Sequence, residues 1–251
     1  MIHAPLRILQ FTDTHIFADP TKTLGGMDTR ASLRAVMDRA RADATPVDLV
    51  LLTGDLAAAE EGDAYRWLVD AFSTWDTPIW YVPGNHDNPD TLAAIVAAAG
   101  WRGCGSYRLG DWHFVLLNSA VPGEEYGALG DAALANLAHR LAQYPETPTL
   151  IVLHHHPVRL DSRWMDTMVL RDAPAFWALV ERHTQVRGVL WGHVHQNYDR
   201  FRGAVRLLAT PSTCVQFAPR SREFARDRLG AGFRRLQLHR DGTITTQVER
   251  V

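Results

Sequence analysis

The chain has 251 residues, 46% of them hydrophobic and 22% charged, which suits one large soluble domain with a buried core. A formal net charge of -2 excludes a general attraction to nucleic acid or anionic lipid, so an anionic substrate would need a local positive centre. Two cysteines are too few for a disulfide framework, and the opening MIHAPLRILQF lacks the pattern of a secretory signal. A cytoplasmic chain is expected, with no membrane and no nucleic-acid partner.

Short apolar, β-rich runs recur at residues 7–11, 48–52, 79–82, 113–117, 150–153 and 186–190. Near-continuous apolar character over about five residues predicts strands buried on both faces. Helical patterns lie between them. TRASLRAVMDRARADA (29–44) puts Leu33, Val36, Met37 and Ala40 on one face, and AYRWLVDAFSTW (64–75) behaves alike. GDAALANLAHRLAQY (130–144) carries the stripe Leu134, Leu137, Ala138 and Leu141. After His195 come strand-like pieces, AVRLLATPST and GFRRLQLHR, and the turn Asp241-Gly242 joins the last of these to TITTQVERV as a hairpin. The expected fold is α/β, a two-sheet β-sandwich flanked by helices, with residues 1–251 forming one domain.

The strand ends share one residue class. The first ends in TDTH (Asp13, His15), the second in TGDL (Asp55) and the third in PGNHD (Asn85, His86, Asp87). The fifth ends in LHHHP (His154, His155, His156) and the sixth in WGHVH (His193, His195). Any one alone suits a turn or a helix cap. Together, at the edge where α/β sheets gather ligands, they predict a metal site. Carboxylate, imidazole and amide oxygen without thiolate favour iron, manganese, zinc or cobalt. Seven candidate ligands exceed the four of one tetrahedral zinc and suit two ions sharing a carboxylate.

The ordered set Asp13-x-His15, Gly54-Asp55, Gly84-Asn85-His86-Asp87, His154 and Gly192-His193-x-His195 resembles the calcineurin-like metallophosphoesterase superfamily. ILQFTDTHIF, LVLLTGDLA, VPGNHD, LIVLHHHPV, GHVHQ and LLATPSTCVQFAP further resemble the bacterial class III 3',5'-cyclic-AMP phosphodiesterases of the CpdA type. That likeness continues through GFRRLQLHRDGTITTQVER. TPSTCVQF is not needed for metal binding, which makes it the best mark of the subfamily. Ala231 stands where that family usually has proline, and Asn118 where it commonly has aspartate.

The resemblance implies a β-sandwich with a dinuclear centre of iron and/or manganese, zinc and cobalt being the alternatives. One ion falls to Asp13, His15 and His195, the other to Asn85, His154 and His193, with Asp55 bridging. His154 directly follows its strand and is preferred over His155; His155 and His156 are otherwise neighbouring or solvated residues. The expected reaction opens 3',5'-cyclic AMP to 5'-AMP through attack by a metal-bound hydroxide, with His86 as general acid. Asp55 and His86 thus serve catalysis, and His15, Asp55, Asn85, His86 and His195 face the substrate. Asp87 either orients His86 or caps a helix around 91–99.

Alternatives of the same chemistry are phosphodiesterases for glycerophosphodiesters, 2',3'-cyclic nucleotides or other diesters; a scaffold of the same fold would be non-catalytic. A monomer or a homodimer fits. Trp164 is a candidate pocket wall, Cys214 a buried small hydrophobe in a loop shaping that pocket, and RSREFARDR a solvated surface. His3, His113, His139, His183 and His239 match no motif and are expected at the surface or satisfied in the core.

Overall fold

The structure, a computed structural model, describes residues 4–59 and 62–251, so His3 lies outside the described residues. In chain order the strands are β1 (Leu6–Phe11), β2 (Leu49–Thr53), β3 (Ile79–Val82), β4 (Gly105–Leu109), β5 (Trp112–Leu116) and β6 (Thr149–Val152). Then follow β7 (Val186–Trp191), β8 (Tyr198–Arg202), β9 (Val205–Ala209), β10 (Gln216–Phe217), β11 (Arg226–Asp227), β12 (Gly232–Leu238) and β13 (Ile244–Arg250). The helices are α1 (Thr29–Arg41), α2 (Gly62–Phe72), α3 (Pro89–Val96), α4 (Gly130–Gln143) and α5 (Ala173–Val180).

Two main sheets form, in the orders β13-β12-β1-β2-β3 and β4-β5-β6-β7-β9-β8, and β10 and β11 make a small separate hairpin. In the first sheet β1, β2 and β3 run parallel, and in the second β5, β6, β7 and β9 do. The expected hairpin of the tail is the antiparallel pair β12 and β13.

Burial explains why these strands read as apolar runs. Ile8, Leu49, Leu51, Trp80 and Val82 of the first sheet share one buried cluster with Leu150, Val152, Leu190 and Leu208 of the second. The alternate residues Leu9, Val50, Leu52 and Tyr81 instead pack with Leu33, Val36, Tyr65, Leu68 and Leu92 of α1, α2 and α3. Ile151, Val189 and Trp191 do the same beneath Leu137 and Leu141 of α4 and Phe176 of α5. Each central strand therefore buries both faces, one on the other sheet and one under helices. The predicted sandwich flanked by helices is what forms.

Some boundaries differ from expectation. Helix α1 stops at Arg41, with Asp28 accepting from the Arg30 and Ala31 N–H groups at its start. Asn88, not Asp87, caps α3, its side chain accepting from Thr91 N–H ahead of Pro89 in the first turn. The strands β4 and β8 and the helix α5 were absent from the sequence reading.

Candidate metal centre

Every predicted ligand sits on a loop leaving one of the parallel strands. Asp13 and His15 follow β1, Asp55 follows β2, Asn85 and His86 follow β3, His154 follows β6, and His193 and His195 follow β7. Backbone bonds lace these loops together. Asp13 N–H donates to Gly54 O at 3.0 Å and His15 N–H to Asp55 O at 2.9 Å. Gly192 N–H donates to His154 O at 3.2 Å, and His193 N–H to both Asp13 carboxylate oxygens at 3.0 Å.

Five of the seven predicted ligands, Asp13, His15, Asp55, His193 and His195, hold φ between 43° and 67°, the left-handed region. At roughly 1 kcal/mol each, that strain is comparable to a domain's whole net stability, and the surrounding bonds must offset it. Two motif glycines permit the close approach. A Cβ on Gly54 (φ +93°) would lie 2.3 Å from His154 Nδ1, and one on Gly84 2.1 Å from Asp55 Oδ1.

The result is a buried group of donor atoms. Asp55 Oδ2 lies 3.3 Å from His154 Nε2 and 3.7 Å from His15 Nε2, between the two halves of the cluster. His195 Nε2 is 3.3 Å from both Asp13 Oδ1 and His15 Nε2. Ligand atoms of Asp13, His15 and His195 all fall within 4.8 Å of one another, as do those of Asp13, Asp55 and His154 and of His154, His155 and His193.

Hydrogen bonds set the tautomers. His154 Nδ1 meets Thr53 O at 2.8 Å and His195 Nδ1 meets Val215 O at 2.7 Å. A carbonyl only accepts, so each Nδ1 carries a proton and each Nε2 is turned toward the cluster.

Burial pushes His15 down to about 3 and His193 well below the ordinary imidazole value, keeping both neutral as ligands must be. Burial would raise Asp13 and Asp55, but the facing imidazoles, His195 for Asp13 and His154 for Asp55, outweigh it and hold both carboxyls low. Burial also disfavours charge on His154, yet Asp55 lifts it to about 9, so a proton there balances the carboxylates. A cation between these groups would do the same.

The donor set fits metal ions. Asn85 Oδ1 and His193 Nε2 are buried without a hydrogen-bond partner, a costly state unless an ion takes them. The adjoining cavity has a volume of about 460 Å³ and opens on His15, Asp55, Asn85, His86, His193 and His195. Among the described residues lining it there is no lysine or arginine, so an anion bound there depends on cations held by the cluster.

Asp87 corrects both expectations for it: it neither orients His86 nor caps α3. Its buried carboxylate accepts from Leu56 N–H (3.1 Å), Ala57 N–H (3.0 Å), Gly84 N–H (2.9 Å) and Tyr65 Oη–H (3.1 Å), clamping the loop after β3 to the loop after β2. Burial and the nearby Asp55 raise it to about 6 against the pull of those bonds. His86 is oriented instead by Ala58 O, 3.2 Å from its Nδ1, and its own N–H donates to Asp55 Oδ1 at 2.9 Å. His86 is exposed at the cavity, edge-on to His15.

His155 and His156 are buried, not solvated. His155 Nδ1 shares a hydrogen bond with Ser119 Oγ at 2.8 Å, and the His156 ring stacks on His193. Asn118 is exposed and accepts from Ala120 N–H, away from the cluster. Trp164 does line the cavity and Cys214 is buried. Sequence reasoning missed Phe217 and Phe224, which also line the cavity. The second lies in RSREFARDR, which is exposed or half-buried throughout, as a solvated surface should be, and its only signal was an aromatic among charges.

Comparison with known proteins places this geometry. The chain is 39% identical over 247 residues to the 3',5'-cyclic adenosine monophosphate phosphodiesterase CpdA of Vibrio vulnificus, covering 98% of this chain and 90% of that protein. It is 39% identical over 249 residues to the protein of the same name from Escherichia coli K12, covering 99% and 90%. A dimetal phosphatase from Danio rerio superposes over 99% of both chains with a TM-score of 0.64 at 14% identity, a likeness of fold. The sequence profile of the calcineurin-like phosphoesterases matches residues 6–197, the span that contains every one of the clustered side chains. The chain belongs to the calcineurin-like phosphoesterase family.

Proposed function

We propose that the chain hydrolyses 3',5'-cyclic AMP to 5'-AMP at two metal ions, with residues 1–251 working as one domain. The observation that carries this is 39% identity to named cyclic-AMP phosphodiesterases across nearly the whole chain, not the metal motifs alone. Asp13, His15 and His195 would hold one ion, Asn85, His154 and His193 the other, and Asp55 both. The oxygen and nitrogen donor set suits iron and/or manganese, with zinc or cobalt also accommodated. When bound, the ions supply positive charge that neutralises the phosphoryl oxygens and acidifies water.

The chain's own residues do the rest. Carbonyl acceptors at Thr53 and Val215 hold the His154 and His195 rings with Nε2 inward. His86, with Nδ1 directed to Ala58 O, keeps Nε2 for the substrate and in its protonated form gives a proton to the departing O3'. Water adds its oxygen to phosphorus and loses a proton to solvent, the P–O3' bond breaks, and O3' leaves as the ribose hydroxyl with the proton from His86. Cytoplasmic placement suits the two free cysteines, Cys104 and Cys214.

Steady-state comparison of the metal-loaded enzyme tests the reading. We expect kcat/KM for 3',5'-cyclic AMP to exceed that for glycerophosphodiesters and 2',3'-cyclic nucleotides. A preference for glycerophosphodiesters would contradict it.

A further inference from the structure

Beyond the metal-binding side chains, the same cavity continues along an aromatic wall. Phe217 lies flat against His195, with ring centroids 4.1 Å apart and planes 9° apart. Trp164 meets Phe217 edge-on at 5.2 Å and Phe224 edge-on at 5.3 Å, and Phe217 and Phe224 are 5.5 Å apart. The three rings thus make one triangular cluster that meets the metal-site side chains through Phe217, and Phe224 remains 62% exposed.

The wall is held by bonds that do not involve the rings. Phe224 sits in the turn of the β10–β11 hairpin, which is closed by Ala218 N–H donating to Ala225 O at 2.8 Å. Arg226 donates to Gly25 O at 2.7 Å, and Ser162 Oγ donates to Ser221 O at 2.8 Å, tying the hairpin to the segment that carries Trp164. A largely exposed phenylalanine so anchored gains little from folding. An apolar planar ligand would give it a partner.

We propose that the exposed ring of Phe224, braced edge-on by Trp164, is the face on which the nucleobase of the cyclic nucleotide stacks, while its phosphate lies at the His15–His195 end. Phe217 supports that face and holds His195. This rests on the cyclic-nucleotide reading above and assigns its base subsite. Every base presents a π face, so stacking reads no base edge and serves adenine and guanine alike.

The test is steady-state kinetics of the metal-loaded Phe224→Ala and Phe224→Tyr enzymes, with metal content measured alongside. We expect Phe224→Ala to raise KM for 3',5'-cyclic AMP about tenfold, and for 3',5'-cyclic GMP by a similar factor, with kcat changed far less. Phe224→Tyr should restore KM. For base-free ribose 3',5'-cyclic phosphate the rise should be less than about twofold, since no base is there to stack. An unchanged KM for cyclic AMP, or an equal rise for the base-free diester, would overturn the stacking face. If the unsubstituted enzyme itself prefers glycerophosphodiesters to cyclic AMP, the cyclic-nucleotide reading fails instead, and the two failures are told apart.

Discussion

His86 is exposed at the cavity with Nδ1 on Ala58 O, beside Asn85, whose Oδ1 is buried and unpartnered. Their side chains were legible in the sequence because a plain turn after a strand has use for the glycine but none for the histidine. Asp87, two residues from Asn85, was not legible. Its partners Leu56, Ala57 and Tyr65 come from another loop and from α2, and no local pattern announces a contact across 30 residues. The neighbours therefore have separate tasks, and substitution should separate them. We expect His86→Ala to keep both metals and lower kcat by about 10²–10³ for a cyclic nucleotide, whose leaving alkoxide needs a proton. The loss should fall below about tenfold for a 4-nitrophenyl diester, whose leaving group needs none. Equal losses for the two substrates would argue against the acid role.

Among elements, those with a strong period were readable. Helices α1, α2 and α4 each bury a stripe, and β1, β2, β3, β6 and β7 are apolar because both faces are covered. The misses have physical causes. β8 (YDRFR) is a charged, largely exposed edge strand, and β4 is the opposite edge, so neither has a buried face to advertise. α5 (APAFWALV) is short, and its exposed Pro174, Ala175 and Ala178 are as apolar as its buried residues, so it lacks the polar face that marks a helix. The loops after the strands were found by residue type, but their left-handed geometry was not, since it is uncommon in any residue but glycine and no local pattern marks which aspartate or histidine takes it. That geometry makes two alanine substitutions diverge. Gly84→Ala drives a Cβ into Asp55, whereas Gly123 (φ +77°) has open space around it. We expect Gly123→Ala to cost only the backbone strain, about 1 kcal/mol, and Gly84→Ala about 2–3 kcal/mol together with lost metal content. Urea unfolding and metal analysis check this; equal costs with metal retained would remove the packing argument at Gly84.

At the scale of the whole molecule, the site exists because two sheets dock with their parallel strands delivering loops to one place. A buried polar seam joins them just beneath it. Gln10 of β1 donates to Thr53 Oγ1 at 2.8 Å and to Trp191 O at 3.1 Å, and accepts from Thr210 Oγ1. Arg234 of β12, buried and drawn down to about 10 by desolvation, donates to Thr210 Oγ1 at 3.0 Å and to Ala209 O at 2.7 Å. Satisfied polar groups of this kind are costly to misalign, so they fix the register in which Asp13 and Asp55 of one sheet meet His154 and His193 of the other. The most direct measurement is anomalous scattering from crystals grown with ample manganese. We expect two peaks flanking Asp55, one among Asp13, His15 and His195 and one among Asn85, His154 and His193. A single peak, or peaks remote from Asp55, would contradict a centre built jointly by both sheets.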